Sequence, residues 1–174
     1  MSMPEPPGTL VEKKLFELAN FTTTSGAVLK QVRVGWESYG TLNEARDNAI
    51  LVTHFFSGNS NAAGKYGPDD AEPGYWDAII GPGKPLDTNR YCIISSDTLV
   101  NLNAKDPNTI TTGPTTIDPD TGKPYGMSFP IVTIRDFVNV QTALLDHLGI
   151  RTLQAVMGAS MGGLQALEWG SAYP

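Results

Sequence analysis

Ser160 is the residue in this sequence best placed to do chemistry. It sits in Gly158-Ala159-Ser160-Met161-Gly162-Gly163, with a glycine two positions before it and another two positions after. An apolar run, Leu153-Gln154-Ala155-Val156-Met157, leads into this segment, and a helix-compatible stretch, Leu164-Gln165-Ala166-Leu167-Glu168-Trp169, follows it. Strand, sharp turn carrying a serine, then helix is the arrangement that lifts a hydroxyl above the end of a sheet for nucleophilic attack. The spacing has a steric reason. A serine in a strained turn projects its hydroxyl outward, and the flanking glycines keep side chains away from the turn and the neighbouring strand. The helix start then aims backbone N–H groups at negative charge forming beside the serine. Covalent catalysis is the chemistry this predicts, with Ser160 as nucleophile and the Met161 N–H as one donor to the oxyanion.

A second donor is expected from the loop after an earlier strand. Residues 49–56, Ala-Ile-Leu-Val-Thr-His-Phe-Phe, form an almost continuous apolar run that stops at Ser57-Gly58-Asn59. The Phe56 N–H is the candidate. Read alone, Phe55 and Phe56 fit better as core aromatics.

The elements that must hold these groups can also be read. Runs such as residues 49–56, 91–94 and 153–157 suit strands buried on both faces of a parallel sheet. Apolar Val28, Val32, Val34 and Trp36, set against polar Gln31, Arg33 and Glu37, predict a half-buried strand of antiparallel type. A helix is predicted after Thr133. That residue and Asp136 make a capping-box start, Phe137, Val140, Leu144 and Leu148 recur at helical spacing, and Gly149 ends it. Strands interleaved with helices mean an α/β fold. Residues 95–129 are rich in Asn, Thr, Asp, Gly and Pro and read as one long irregular stretch, of the kind that either carries function or is disordered.

Composition sets the outer bounds. The 174 residues carry 12 Lys+Arg against 18 Asp+Glu, a net charge of −6, with 40% hydrophobic and 17% charged residues. Such a chain is globular, and its acidic balance argues against a nucleic-acid or anionic-membrane partner. No apolar run approaches the roughly 20 residues of a membrane span. One cysteine allows no internal disulfide, which favours a reducing compartment, and no metal site is expected. Residues 1–8 read as a proline-rich flexible arm without a signal pattern. A cytoplasmic protein acting on a small molecule is the expectation.

Other chemistry-bearing residues give bland readings. Asp118-Pro119-Asp120-Thr121-Gly122 lacks the closing glutamate of a calcium loop and reads as a turn. Gly81-Pro82-Gly83-Lys84 has the wrong spacing for a phosphate loop. Cys92 lies in an apolar strand and reads as a buried thiol. Arg135 is expected to pair with Asp136 or with the long loop.

Taken in order, Tyr39-Gly40-Thr41-Leu42-Asn43, Asp47-Asn48-Ala49, Gly81-Pro82-Gly83, Leu86-Asp87-Thr88, Thr112-Gly113-Pro114, Thr121-Gly122-Lys123-Pro124-Tyr125-Gly126, Phe129-Pro130, Thr133-Ile134-Arg135-Asp136 and residues 160–169 resemble the homoserine O-acetyltransferase family. The resemblance implies an α/β-hydrolase fold: a mostly parallel sheet with helices on both faces, of which residues 9–174 would be the amino-terminal half. It also implies an acyl-enzyme route in which Ser160 takes an acetyl group from acetyl-CoA as co-substrate, with no bound cofactor, and passes it to a hydroxyl such as homoserine's. A homodimer is implied for the full-length protein.

Two departures point toward the esterase-like branch of the same family, which hydrolyses short acyl esters. Residues 97–108 replace a glycine-rich turn, and His54-Phe55-Phe56-Ser57-Gly58 replaces the familiar His-Ala-Leu-Thr-Gly. The triad order of this fold is Ser, then Asp or Glu, then His, whereas His54 and His147 both precede Ser160. His147 is therefore expected to be structural, at a helix end. His54 lies at a strand end near the serine and is expected to support it from the core. The triad acid and base are expected beyond residue 174, which would leave this stretch alone catalytically incomplete.

Overall fold

The computed structural model describes residues 9–174; the expected arm at residues 1–8 lies outside them. Strand β1 (Lys14–Thr22) and β2 (Val28–Tyr39) form an antiparallel hairpin, with Leu15 opposite Gly35 and Phe21 opposite Leu29. Then come β3 (Ala49–Thr53), two short parallel strands β4 (Ile80–Gly81) and β5 (Leu86–Asp87) in a small sheet of their own, and β6 (Cys92–Ser96). Helix α1 (Ile134–His147), β7 (Leu153–Gly158) and α2 (Met161–Ala172) complete the order. The main sheet runs β1-β2-β6-β3-β7. β2 pairs antiparallel with β6, while β6, β3 and β7 are parallel.

All five residues of β3 and of β6 are buried, as apolar runs in the middle of a parallel sheet should be. The run at residues 49–56 nevertheless stops being strand at Thr53, three residues earlier than its apolar character predicts. Its last three residues turn off the sheet edge and build the site instead.

The alternation in β2 departs from the pattern expected of it. Val28 is exposed and Leu29 buried, because Gln31 has φ 52° and shifts the phase, so that Val32 and Val34 face inward again. From Gly35 onward both faces of β2 are covered, so Glu37 is fully buried rather than outward-facing. β1 was not signalled by the sequence pattern.

Helix α1 begins at the expected capping box, in which Thr133 and Asp136 cap each other reciprocally. The Asp136 carboxylate also accepts from the Thr24 N–H at 2.6 Å, tying the hairpin turn to the helix. Val138, Leu144 and Leu145 of α1 and Trp169 of α2 pack on Phe16, Leu29, Val34, Leu51 and Ile94. Both helices therefore lie on one face of the sheet. The other face, with Tyr39, Ile50, Val52 and Ile93, is covered by irregular chain and the two short strands, through Ala62, Ala63, Ile80 and Leu86. Residues 97–133 are irregular apart from one 3-10 turn at Gly126–Ser128; of the stretch expected to be irregular, residues 95–129, Ser95 and Ser96 instead end β6.

Candidate active site

β7 carries the chain to the carboxyl edge of the sheet, and Ser160 turns it into α2. Its backbone, at φ 55° and ψ −123°, lies in a region that L-residues occupy only under constraint, at a cost of about 1–3 kcal/mol. Over the described residues Ser160 is solvent-exposed.

What over-determines the turn is close packing against the end of β3. A Cβ on Gly162 would stand 3.0 Å from the Thr53 carbonyl carbon and 3.1 Å from the His54 oxygen, nearer still to the Thr53 oxygen; a Cβ on Gly158 would run into Gly162 and the Thr53 hydroxyl. The Thr53 hydroxyl lies 3.1 Å from the Met157 carbonyl and 2.8 Å from that of Gly162, joining strand and helix. Fully buried Gln165 donates to the His54 carbonyl at 3.2 Å and accepts from Gln141 at 2.7 Å. Strand β7, helix α2 and the end of β3 thus form one rigid junction.

Beyond Thr53, residues 55–58 make a tight turn closed by the Gly58 N–H donating to the Phe55 carbonyl at 2.9 Å. Phe55 packs edge-on against Tyr75, with ring centroids 5.2 Å apart, whereas Phe56 is 62% exposed and is no core aromatic. Among the described residues, neither the Phe56 N–H nor the Met161 N–H donates to a backbone carbonyl.

His54 is buried beneath this turn. Its Nδ1 lies 2.7 Å from the Phe55 carbonyl, and its Nε2 accepts from the Thr98 N–H at 3.2 Å. A ring nitrogen that accepts carries no proton, so these partners assign the neutral tautomer with hydrogen on Nδ1. Burial also holds the His54 pKa below its ordinary value, outweighing the Phe55 carbonyl. Both nitrogens are engaged in holding the turn. Asn101 (3.1 Å to the Gly58 carbonyl) and Asn103 (2.9 Å to that of Ser57) complete the support.

A further set of buried groups is marked in the sequence pattern by a single glycine. Lys13, just before β1, makes ion pairs with Glu37 (3.1 Å) on β2 and Asp97 (3.4 Å) after β6, both carboxylates fully buried. Glu37 also accepts from the Tyr39 hydroxyl at 2.5 Å and from the Tyr66 hydroxyl. Burial raises the Asp97 pKa, opposed by the Lys13 charge and by the Ile110 and Ser60 N–H groups. The usable clue was Gly35, a glycine inside a strand pattern, which often marks a close approach. A Cβ there would stand 2.9 Å from the Lys13 side chain and collide with Asp97.

The remaining candidates fall out simply. His147 ends α1 against Phe16, with ring centroids 5.5 Å apart. It lies at the opposite sheet edge from Ser160, separated by the length of β7, roughly 20 Å at about 3.3 Å per residue. Asp118 to Gly122 is a turn, closed by the Gly122 N–H donating to the Asp118 carbonyl at 2.8 Å. Cys92 is buried, which pushes its thiol pKa up. Arg135 pairs with Glu168 on α2, not with Asp136 or the long loop, because Asp136 is spent on capping. Among the described residues no group of three His, Cys, Asp or Glu could hold a metal ion.

No family model matches the chain. Curated relatives do. It is 52% identical over 154 residues to a homoserine O-acetyltransferase of Methanococcoides burtonii, covering 88% of this chain and 30% of that protein. It is 54% identical over 149 residues to a homoserine O-succinyltransferase of Magnetococcus marinus, covering 86% and 36%. Among solved structures, esterase E22 superposes with a TM-score of 0.93 at 65% identity, over 95% of this chain and 45% of that one. The homoserine O-acetyltransferase of Bacillus anthracis gives 0.93 at 47% identity, over 95% and 44%. The chain thus spans less than half the length of the relatives it matches. Over that span it is a homologue of the homoserine O-acetyltransferases and has their α/β-hydrolase fold.

Proposed function

We propose that Ser160 is the nucleophile of an acyl-transfer enzyme working through an acyl-enzyme, with the Phe56 and Met161 N–H groups as oxyanion donors. The observation that carries this reading is the strained, exposed serine on a junction packed too tightly to relax. The two N–H groups are uncommitted and flank the contact between the β3 end and the α2 start, which supports the donor assignment. In the reaction Ser160 Oγ attacks the acyl carbonyl, the carbonyl oxygen gains charge, and the two donors stabilise it. Collapse expels the donor's thiol or alcohol and leaves an ester on Ser160, which the acceptor hydroxyl then cleaves.

Proton transfer requires a base, and His54 is committed to holding the turn while His147 is at the far edge. The triad base and acid are accordingly assigned to residues outside this stretch, consistent with relatives more than twice as long. Homoserine as acceptor and an acetyl group as the one transferred follow the relatives' names; acetyl-CoA as its donor, and a cytoplasmic homodimer without a bound cofactor, belong to the same proposal. No described helix is long and apolar enough to cross a membrane.

A second reading replaces the acceptor by water. It is favoured by the 65% identity to esterase E22 and by residues 97–108, which stand where a glycine-rich turn would be. Incubating the full-length protein with acetyl-CoA and homoserine, and separately with p-nitrophenyl acetate, decides between them. O-acetylhomoserine formation supports transfer; ester hydrolysis that homoserine does not divert supports the esterase. Turnover of either substrate that survives Ser160→Ala refutes both.

A further inference from the structure

The Lys13 cluster lies under the turn that carries Phe56, and that placement gives it a consequence for catalysis. Ser60, two residues beyond the turn, is fully buried and is gripped at two points. Its N–H donates to the Asp97 carboxylate at 2.7 Å, and its hydroxyl lies 3.2 Å from Glu37 and within contact of the Lys13 ammonium. The Ala62 N–H donates to the Tyr39 hydroxyl at 3.0 Å, adding a third point. On the other side the turn is fixed by Thr53 and His54. The segment bearing Phe56 is therefore suspended between the elbow junction and an ionic cluster in which one ammonium faces two buried carboxylates.

Without the ammonium, two carboxylates would be left facing each other in the core, and an unpaired buried charge is expelled, protonated or moved. Any of these shifts Ser60 and the turn leading back to Phe56. We propose that Lys13 is a positioning residue for the oxyanion turn: through Ser60, Glu37 and Asp97 it sets where the Phe56 N–H stands. The β1–β2 hairpin, which supplies no reacting group, thereby acts on the chemistry. Gly35 is the space that makes the cluster possible, since any side chain there would separate Lys13 from Asp97.

This inference rests on the Ser160 reading, and its test separates the two. In the full-length protein, Lys13→Met and Ser60→Ala are compared with wild type for hydrolysis of p-nitrophenyl acetate and for inhibition by an alkylboronic acid, whose tetrahedral serine adduct engages the oxyanion donors. Circular dichroism at the assay temperature establishes which variants are folded.

The expected result for Lys13→Met is a fall in kcat of about tenfold or more with KM little changed. The boronate Ki should rise by the same factor, since misplaced donors weaken only the tetrahedral state. Ser60→Ala keeps its N–H to Asp97 and should fall between the two. A folded Lys13→Met with kcat and Ki within about twofold of wild type overturns the inference. If Lys13→Met does not fold, unchanged kcat and Ki in Ser60→Ala overturn it instead. Turnover that persists in a parallel Ser160→Ala control overturns the Ser160 reading itself, a result the Lys13 data cannot mimic.

Discussion

Replacing Gly162 by alanine adds one methyl group to the junction on which the site depends. The new carbon would stand 3.0 Å from the Thr53 carbonyl carbon and 3.1 Å from the His54 oxygen. The Thr53 carbonyl oxygen is closer still, and clearing these atoms to ordinary contacts of about 3.5 Å forces the start of α2 to retreat by about 1 Å or more from β3. Neither neighbour is a flexible side chain; both are backbone at the end of a fully buried strand. Overpacking of this kind costs about 1–3 kcal/mol, and the bonds from Thr53 to Gly162 and from Gln165 to His54 are stretched as well, which places the loss near the upper end. A 1 Å displacement of a catalytic group can cost about a hundredfold in rate. Gly163 is the internal control. A Cβ there meets only the Gly158 carbonyl, at an ordinary 3.5 Å, and alanine is the better helix former by up to about 1 kcal/mol. In the full-length protein, urea unfolding and p-nitrophenyl acetate turnover should show Gly162→Ala losing about 3 kcal/mol and nearly all activity, with Gly163→Ala unchanged or slightly more stable. Equal behaviour of the two variants would refute the packing argument.

His54 is buried in its neutral form, with a folded pKa below the unfolded value of 6.5. Between those two values the unfolded chain binds more protons, so stability should drop as pH falls below about 6.5. Unfolding free energies measured across pH 5–8 should show a smaller acid loss in His54→Gln than in wild type. Gln165 links the His54 carbonyl to Gln141, whose amide oxygen in turn accepts from the Trp169 indole at 2.7 Å. Gln165→Leu leaves the His54 carbonyl and the Gln141 amide buried without partners, at about 1–3 kcal/mol for each orphaned group. A urea midpoint equal to wild type would show that those bonds contribute nothing.

Much of the fold around Ser160 was legible because its signals are local. The strand–serine–helix junction, the capping box at Thr133 and the buried runs of β3, β6 and β7 each follow from a few adjacent residues. What was not legible depends on chain that is distant in sequence. Glu37 reads as a solvent-facing strand residue until residues 54–91 are known to cover that face of β2. The positive φ at Gln31, which moves Val28 outward, has no pattern to announce it. His54, Phe55 and Phe56 continue an apolar run, and only their partners on residues 75 and 98–101 show where the strand stops. Lys13 and Asp97 lie 84 residues apart, and nothing in either neighbourhood pairs them.

Covalent trapping decides whether Ser160 is the nucleophile. Full-length protein is incubated with a fluorophosphonate, digested, and the peptides are analysed by mass spectrometry, with Ser160→Ala treated in parallel. An activated serine displaces fluoride and keeps the phosphonyl group, so the expected result is stoichiometric labelling at Ser160, loss of esterase activity in step with labelling, and no label in the variant. Label on another residue, or full turnover remaining after Ser160 is labelled, would contradict it.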